Sequence, residues 1–302
     1  MRDRIEIKAR AKINIGLDVI GRRDDGYHLV KMIMQSLKLY DDIIISKNNG
    51  KDILITCDKD NIPCDNRNLA YKAAKELFKE AGIDTGLSID IKKRIPSSAG
   101  LAGGSSDAAA VLKGANELLE LGFSTEELMK TGVRIGADVP YCIMGGTALS
   151  EGIGERLKRL KDFPECNILL AKPAIDVSTK YVYEKLDDIS DYDHPDIDGI
   201  VEAINNGNIK RISSLMGNVL ELVTEKEYNI IRRIKMIMNE NGAQNAMMSG
   251  SGPTVFGIYE DEYSIKYSYE KLKKEITDLE LIITGPHNAG GMDGGSRTED
   301  GV

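Results

Sequence analysis

The sequence predicts an α+β fold in two domains. Three observations point there. Apolar residues alternate with period two through the first forty positions. Helical periodicity and short alternating runs then interleave, and a charged run over residues 155–165 separates two apolar halves. A length of 302 residues agrees with two domains and is ample for cores without staples.

Ile5, Ile7, Ala9 and Ala11 share one phase, which Ile13, Ile15, Leu17 and Val19 continue, so the chain opens on a half-buried strand. RRDDG at 22–26 is a polar turn, and His28 to Leu39 reads as a second strand. Asp41 and Asp42 read as another turn, and 43–46 and 52–57 as short strands around KNNGK, which makes the opening antiparallel and meander-like. Leu69, Ala73, Ala74, Leu77 and Phe78 recur at helical spacing between Asn68 and the stop at Gly82. A strand over Leu87 to Ile95 follows, then a Gly/Ser loop and a helix from about Ser105 to Leu121. Thr125 to Ile135 has capping residues and acids in its first turn. Residues 141–150 and 167–171 read as buried strands. The second half predicts helices near 178–187, 196–206, 208–222 and 226–241, strands near 244–248 and 254–259, a helix near 262–276 and a strand near 279–284. The domains span 1–160 and 161–285, and the Gly-rich stretch 286–302 reads as a disordered tail.

Composition removes several function classes. A net charge of −8 and 5% aromatic residues, with no Trp, argue against a nucleic-acid partner. No apolar run approaches the roughly 18 residues of a membrane span, and the charged N-terminus does not read as a secretory signal or transit peptide. Cys57, Cys64, Cys142 and Cys166 form no CxxC pair, so they read as reduced thiols of a cytoplasmic chain. The three histidines fit no zinc pattern.

Four segments carry chemistry. The strongest is PSSAGLAGGSSDAAAVL, 96–112, where a strand enters a glycine loop that opens a helix. Gly100, Gly103 and Gly104 permit close backbone approach, and free N–H groups at a helix start favour phosphate. Ser97, Ser98, Ser105 and Ser106 add hydroxyl donors. It matches neither a Walker A loop nor the GxGxxG fingerprint. NAMMSGSGPTVFGIY, 245–259, reads as a hairpin with flexible glycines or as a second clamp on a ligand. In IGADVPYCIMGGTAL, 135–149, Asp138 is either a capping carboxylate or a base aimed into a cleft. In AKINIGLDVIGRRDDGYHLV, 11–30, Lys12 and Asn14 share a strand side that is either solvated surface or an anion site. Tyr27 and His28 there are either structural or a stacking plane with donors.

Taken together and in this order, AKINIGLDVIGRRDDGYH, PSSAGLAGGSSDAA, IGADVPYC and MSGSGPTVFG resemble the GHMP small-molecule kinases over about residues 5–285. The glycine loop is common to that superfamily. The DGYH segment is similar to those members that act on a cytidine-diphosphate-linked sugar alcohol. The resemblance implies an N-terminal domain like the second domain of ribosomal protein S5, a ferredoxin-like C-terminal domain, and a site between them. It implies transfer of the γ-phosphoryl group of ATP, with Mg²⁺, to a tertiary 2-hydroxyl. Asp138 is then the general base and Lys12 its cationic partner. Pro96, Ser97, Ser98, Ala99, Gly100, Leu101, Ala102, Gly103, Gly104, Ser105 and Ser106 hold the triphosphate, with Asn68 and Lys93 near the adenine. Asn14, Tyr27, His28, Thr179 and Tyr183 fall on the substrate side, His28 near the cytosine edge and Tyr183 stacking opposite Tyr27.

Ala102 stands where many members carry Gly, and Ser97 and Ser98 replace smaller or apolar residues. No carboxylate ligand for Mg²⁺ is evident. Lys8, Arg10, Lys12, Lys92, Lys93 and Arg94 flank the expected site and offset the negative net charge. The expected partner is a small-molecule substrate, the chain acting as a monomer or homodimer. Two other readings stand beside this one: a GHMP kinase of homoserine, mevalonate or a sugar, and a catalytically silent binding module on the same fold.

Overall fold

The chain is described by a computed structural model over residues 2–288. Two sheets organise it. Strand β1 (Arg4–Arg22) turns at 23–27 into β2 (His28–Asn48), and the two pair antiparallel along almost their whole length. β3 (Ile53–Cys57) and β4 (Gly86–Lys92) follow, with helix α1 (Leu69–Ala81) between them, and β5 (Thr147–Gly152) and β6 (Arg156–Arg159) close the first half. The sheet order is β3-β4-β2-β1, and β5 joins β2 beyond the point where β4 leaves it. Helices α2 (Gly103–Leu118), α3 (Thr125–Val133) and α4 (Val139–Met144) pack with α1 against this sheet. The second sheet, of strands β7 (Asn167–Pro173), β9 (Asn245–Met248), β10 (Val255–Tyr259) and β11 (Leu279–Thr284), is wholly antiparallel in the order β11-β7-β10-β9. Helices α5 (Thr179–Leu186), α6 (Ile197–Asn205), α7 (Ile209–Leu215), α8 (Glu221–Glu227), α9 (Asn229–Glu240) and α10 (Glu262–Glu275) complete the chain, with a two-residue strand β8 (Gly217–Asn218).

Several elements differ from the sequence expectation for identifiable reasons. Asp41 and Asp42 make no turn; β2 runs through them because the buried Asp41 carboxylate accepts the backbone N–H groups of Arg94 and Ile95. KNNGK does not close a hairpin, because β4 lies between β2 and β3, and β3 runs parallel to β4. The strand expected over 141–150 begins only at Thr147; the residues before it form helix α4, with Pro140 in its first turn, where its missing N–H costs nothing, and Gly145 ending it. The helix expected over 208–222 breaks at Met216, so that Gly217 and Asn218 can pair with Gly16 and Leu17 of β1. The glycine-loop helix starts at Gly103 rather than Ser105, with Ala102 as a left-handed N-cap that supplies no side-chain bond. At the chain's end, Pro286, His287 and Asn288 are bound rather than loose: Pro286 bridges Leu37, His287 N–H reaches the Ser36 carbonyl, and Asn288 exchanges two bonds with the backbone of Phe163. The rest of the expected tail lies outside the described residues.

One cluster of apolar side chains belongs to the first half alone, between its sheet and α1 to α4. The other two draw on both halves: Leu17, Val19 and Met34 pack with Leu169, Ile234 and Val255, and Ile13, Ile15 and Ile33 with Ile200, Met247 and Phe256. The two expected domains are therefore two sheets with shared cores. This explains β1, which alternates between buried and more exposed residues only as far as Arg10 and is buried on both faces from Ala11 to Val19. From Ala11 onward the second half covers the face that solvent would otherwise wet.

Among the described residues no helix is long and apolar enough to cross a membrane, and all four cysteines are free. Leu77 is fully buried between α1 and the sheet, so Leu77→Ala is expected to lower unfolding free energy by about 2–5 kcal/mol, read as a lower denaturant midpoint with an unchanged slope.

Candidate active site

A cavity of about 790 Å³ opens between the two sheets, lined by β1 and β2, the glycine loop, the start of α4, α5, and the turn between β9 and β10. Lys12 and Asn14 form its floor. Neither is solvated surface: they are 5% and 0% exposed. A register shift between Arg10 and Lys12 in the β1–β2 ladder falls at this point, and a bulge is the usual device for re-aiming one side chain. The Lys12 ammonium donates to the Asn14 amide oxygen at 2.8 Å and lies 3.7 Å from the Asp138 carboxylate. The Asn14 amide nitrogen contacts the Met32 sulfur. Asp138 occupies the N-cap position of α4 yet makes no side-chain cap bond, so its carboxylate is left to the cavity and to Lys12.

The glycine loop reaches the same cavity through Gly100, Ala102 and Ser105. With no side-chain cap, the first N–H groups of α2 are the open end of a sixteen-residue helix, a set of donors suited to an anion. Ser98 and Ala102 both hold positive φ, so the loop bends without glycine at two points. Ala99 and Leu101 are buried anchors, and the Leu101 carbonyl accepts from Lys12 N–H. Ser106 faces inward, its hydroxyl donating to the Arg10 carbonyl. Beside it, burial pushes the Cys142 thiol up to about 12, so it is no nucleophile at neutral pH.

The second glycine segment is a hairpin loop that also meets the first. Ser249 donates its hydroxyl to the Gly100 carbonyl at 3.0 Å. At Gly250 an added Cβ would stand 3.7 Å from the Lys12 ammonium, so this turn lies directly over the lysine. Ser251 shares a 2.7 Å hydroxyl contact with Thr179 at the start of α5. The segment is thus a hairpin whose loop, at Gly250 and Ser251, lines the cavity.

Toward the mouth, the His28 and Tyr183 rings lie 4.9 Å apart, and Tyr27 stands exposed at the rim. Burial raises the Tyr183 hydroxyl above its ordinary range, so it stays protonated. Tyr183 thus packs beside His28, and Tyr27, His28 and Tyr183 all line the cavity. Asp187 ties this corner together, binding His28 Nε2 at 2.8 Å and Arg22 at 2.9 Å.

Two expected nucleotide residues are engaged elsewhere. Asn68 caps α1 through Ala70 N–H and donates to the Pro63 carbonyl. Lys93 is ion-paired to Asp41 and Asp107 beneath the loop. Neither lines the cavity. Most of the flanking cations are also occupied: Lys8 and Arg10 lie over the Tyr40 ring, Lys92 pairs with Asp90, and Arg94 with Asp42. Lys12, Arg22 and Lys180 are the cations that line the cavity.

Sequence reasoning missed three residues that shape the site. Asp187 lies in an ordinary charged helix end. Asn218 is buried and donates to the Met248 and Gly250 carbonyls, holding the hairpin loop. Glu221 accepts Met248 N–H and pairs with Lys235. Each meets its partner in the site (His28 or Met248) across 27 or more positions of chain, so no local pattern marks it.

Comparison with known proteins agrees with this geometry. The GHMP kinases N terminal domain matches residues 68–146, and the GHMP kinases C terminal domain matches residues 200–276. A curated 4-diphosphocytidyl-2-C-methyl-D-erythritol kinase of Lachnospira eligens is 56% identical over 86% of this chain and 91% of its own. Its counterpart in Caldicellulosiruptor bescii is 50% identical over 93% and 98%. A crystal structure of 4-(cytidine 5'-diphospho)-2C-methyl-D-erythritol kinase superposes with a TM-score of 0.80 at 30% identity, covering 94% of this chain and all of that one.

The contact between the two loops depends on Gly100. It holds φ +72°, and a Cβ there would stand 2.2 Å from the Ser249 carbonyl oxygen. Gly82 has a similar φ of +65° but open space around it. Gly82→Ala is expected to cost about 1–2 kcal/mol through backbone strain alone. Gly100→Ala is expected to cost clearly more in the same thermal denaturation, because the carbonyl must also move.

Proposed function

The chain belongs to the GHMP kinases, and we propose that it transfers the γ-phosphoryl group of ATP to the 2-hydroxyl of 4-diphosphocytidyl-2-C-methyl-D-erythritol, a step of the non-mevalonate route to isoprenoid precursors. The products are the 2-phosphate and ADP. One observation carries the reading: a carboxylate with no structural bond of its own, Asp138, shares a cavity with a buried ammonium and with the open N-terminus of α2.

The chemistry follows from those groups. A tertiary hydroxyl is hindered and weakly acidic, so positioning and charge stabilisation do most of the work. Asp138 accepts the hydroxyl proton while the oxygen attacks the γ-phosphorus in line, and the bond to the ADP oxygen breaks. Lys12, 3.7 Å from the carboxylate, stabilises charge on the attacking oxygen. Asn14 fixes the lysine by holding one of its three donors. The backbone of the glycine loop, with Ser105, receives the triphosphate. His28 and Tyr183 offer the cytosine a polar edge and a ring face, with Thr179 and Tyr27 at the margins.

Among the described residues no cluster of three or more His, Cys, Asp or Glu suits a metal ion. That donor set fits Mg²⁺ held chiefly by phosphate oxygens and water, where it would neutralise charge on the transferring group. A reducing, cytoplasmic setting is supported by the four free thiols. A kinase of another alcohol has less support, because fold alone would unite it with this chain, whereas the relatives near half identity share one substrate name.

A coupled ADP-release assay with ATP, Mg²⁺ and the cytidine-linked substrate tests the reading. Asp138→Asn is expected to lower kcat by about 10²–10⁴ and Lys12→Ala by about 10²–10³, with smaller changes in the KM for ATP. Folded, ATP-binding wild-type protein that releases no ADP on addition of this substrate overturns it.

A further inference from the structure

Three charged side chains lie buried beneath the glycine loop, outside the cavity. Asp41 on β2 is fully buried, Lys93 is 8% exposed and Asp107 on α2 is 3% exposed. The Lys93 ammonium donates to Asp41 Oδ2 and, at 2.9 Å, to Asp107 Oδ2. The other Asp41 oxygen accepts from Arg94 N–H and Ile95 N–H, the two residues that lead into the loop. A Cβ added at Gly103 would stand 3.2 Å from the same ammonium, so the lysine lies directly below the first residue of α2. The loop's entry and exit are thus both tied to one buried cluster.

The charge is not balanced. Two carboxylates share one ammonium, and Asp107 Oδ1 is buried with no hydrogen-bond partner among the described residues. Burial pushes the Asp107 carboxyl up, against the pull of Lys93 and with the push of Asp41. Burial lowers Lys93, but its two carboxylates outweigh that and hold it charged. Ion clusters of this kind seldom add stability over an apolar packing of the same shape, so their value lies in fixing geometry.

We propose that the Asp41–Lys93–Asp107 cluster is the positioning element of the phosphate-binding loop, setting the separation of loop entry and helix start and thereby the affinity for ATP without touching the nucleotide. The proposal rests on the reading of this loop as the triphosphate site. Lys93 is then a positioning residue that acts through Gly103 and Ile95. Without it, two carboxylates face each other below an anion site. With the ammonium gone, the two buried carboxyls must repel or share a proton, and either rearrangement moves the loop entry relative to the helix start.

The test compares wild type with Lys93→Met, Asp107→Asn and the double variant. Calorimetry with Mg·ATP alone reads nucleotide affinity, steady-state kinetics read both KM values, and thermal melts confirm folding. Lys93→Met is expected to weaken ATP binding at least about tenfold while the KM for the alcohol changes less than about twofold. The double variant regains most of that loss, because one of the facing carboxylates is gone. Asp107→Asn alone leaves Lys93 on Asp41 and keeps ATP affinity within about threefold of wild type. If Lys93→Met does not fold, Asp41→Asn takes its place: it keeps the shape, weakens the tie to Lys93, and is expected to weaken ATP binding selectively. ATP affinity within twofold of wild type in whichever of these two variants folds overturns the proposal. So does a parallel loss of ATP and alcohol affinity that tracks stability, or a double variant no better than Lys93→Met. Wild type that binds ATP but phosphorylates no cytidine-linked alcohol would end the substrate assignment and leave the ATP comparison to decide the cluster's role.

Discussion

An ammonium buried on the face of a strand is the constraint around which this molecule is arranged. Lys12 is 5% exposed, and burying a lone charge without partners costs a large share of a domain's net stability. The structure meets that cost with an amide oxygen two residues along the strand and a carboxylate at the start of a short helix. Every neighbouring feature serves the same end. The bulge turns Lys12 toward the cavity, the Leu101 carbonyl fixes its backbone, and the Gly250 turn covers it while leaving the carboxylate side open. Asp138 is about a third exposed, enough for a substrate hydroxyl to reach it and little enough for the ion pair to matter.

The two glycine loops that frame this pair are held in similar ways. Under the first, Lys93 sits between Asp41 and Asp107. Under the second, Lys235 sits between Glu221 and Glu225, and Glu221 accepts the N–H of Met248 at the loop's entry. Asn218 completes the second support by taking the Met248 and Gly250 carbonyls. Loops rich in glycine have little side chain with which to define themselves. Their shape here comes from charged and amide groups below them, tied to backbone atoms.

Much of this was legible along the chain. Local signals located the helices well: Asn68 and Gly82 bound α1, and Ser124 with Glu127 forms the capping box of α3. Motif residues Lys12, Asn14, Gly100, Ser105, Asp138, Thr179 and Tyr183 all converge on one cavity. The failures have one physical origin, which is interaction across long sequence separation. Asp41–Asp42 looks like a turn until Lys93, fifty-two positions away, satisfies Asp41. Gly217–Asn218 looks like the middle of a helix until β1 claims it as a strand. Lys12 and Asn14 alternate as a solvated face would, and it takes Met32, Asp138 and the Gly250 turn, all distant in sequence, to make that face interior. Lys93 matches a position near the adenine, and its pairing with Asp41 and Asp107 was not legible, because those carboxylates lie on other elements.

The shared cores bear on how such a site could work. Enzymes that exclude water by swinging two domains together need a hinge that few buried contacts cross. Here β8, from the second half, pairs with β1 of the first, and two of the three apolar clusters contain side chains of both sheets. Opening such a joint would expose much of the core, which sets its free energy near that of global unfolding. The exposed segments that the cores leave outside include the turn at 23–27 that carries Tyr27 and the loop at Ser98, whereas α5 is anchored in a shared core through Val182 and Leu186. Asp138, Lys12 and the N-terminus of α2 sit on elements that the cores do hold. On the reading proposed above, this arrangement holds the reacting groups in register, while Asp187 joins Arg22 to His28 at the margin of the cavity.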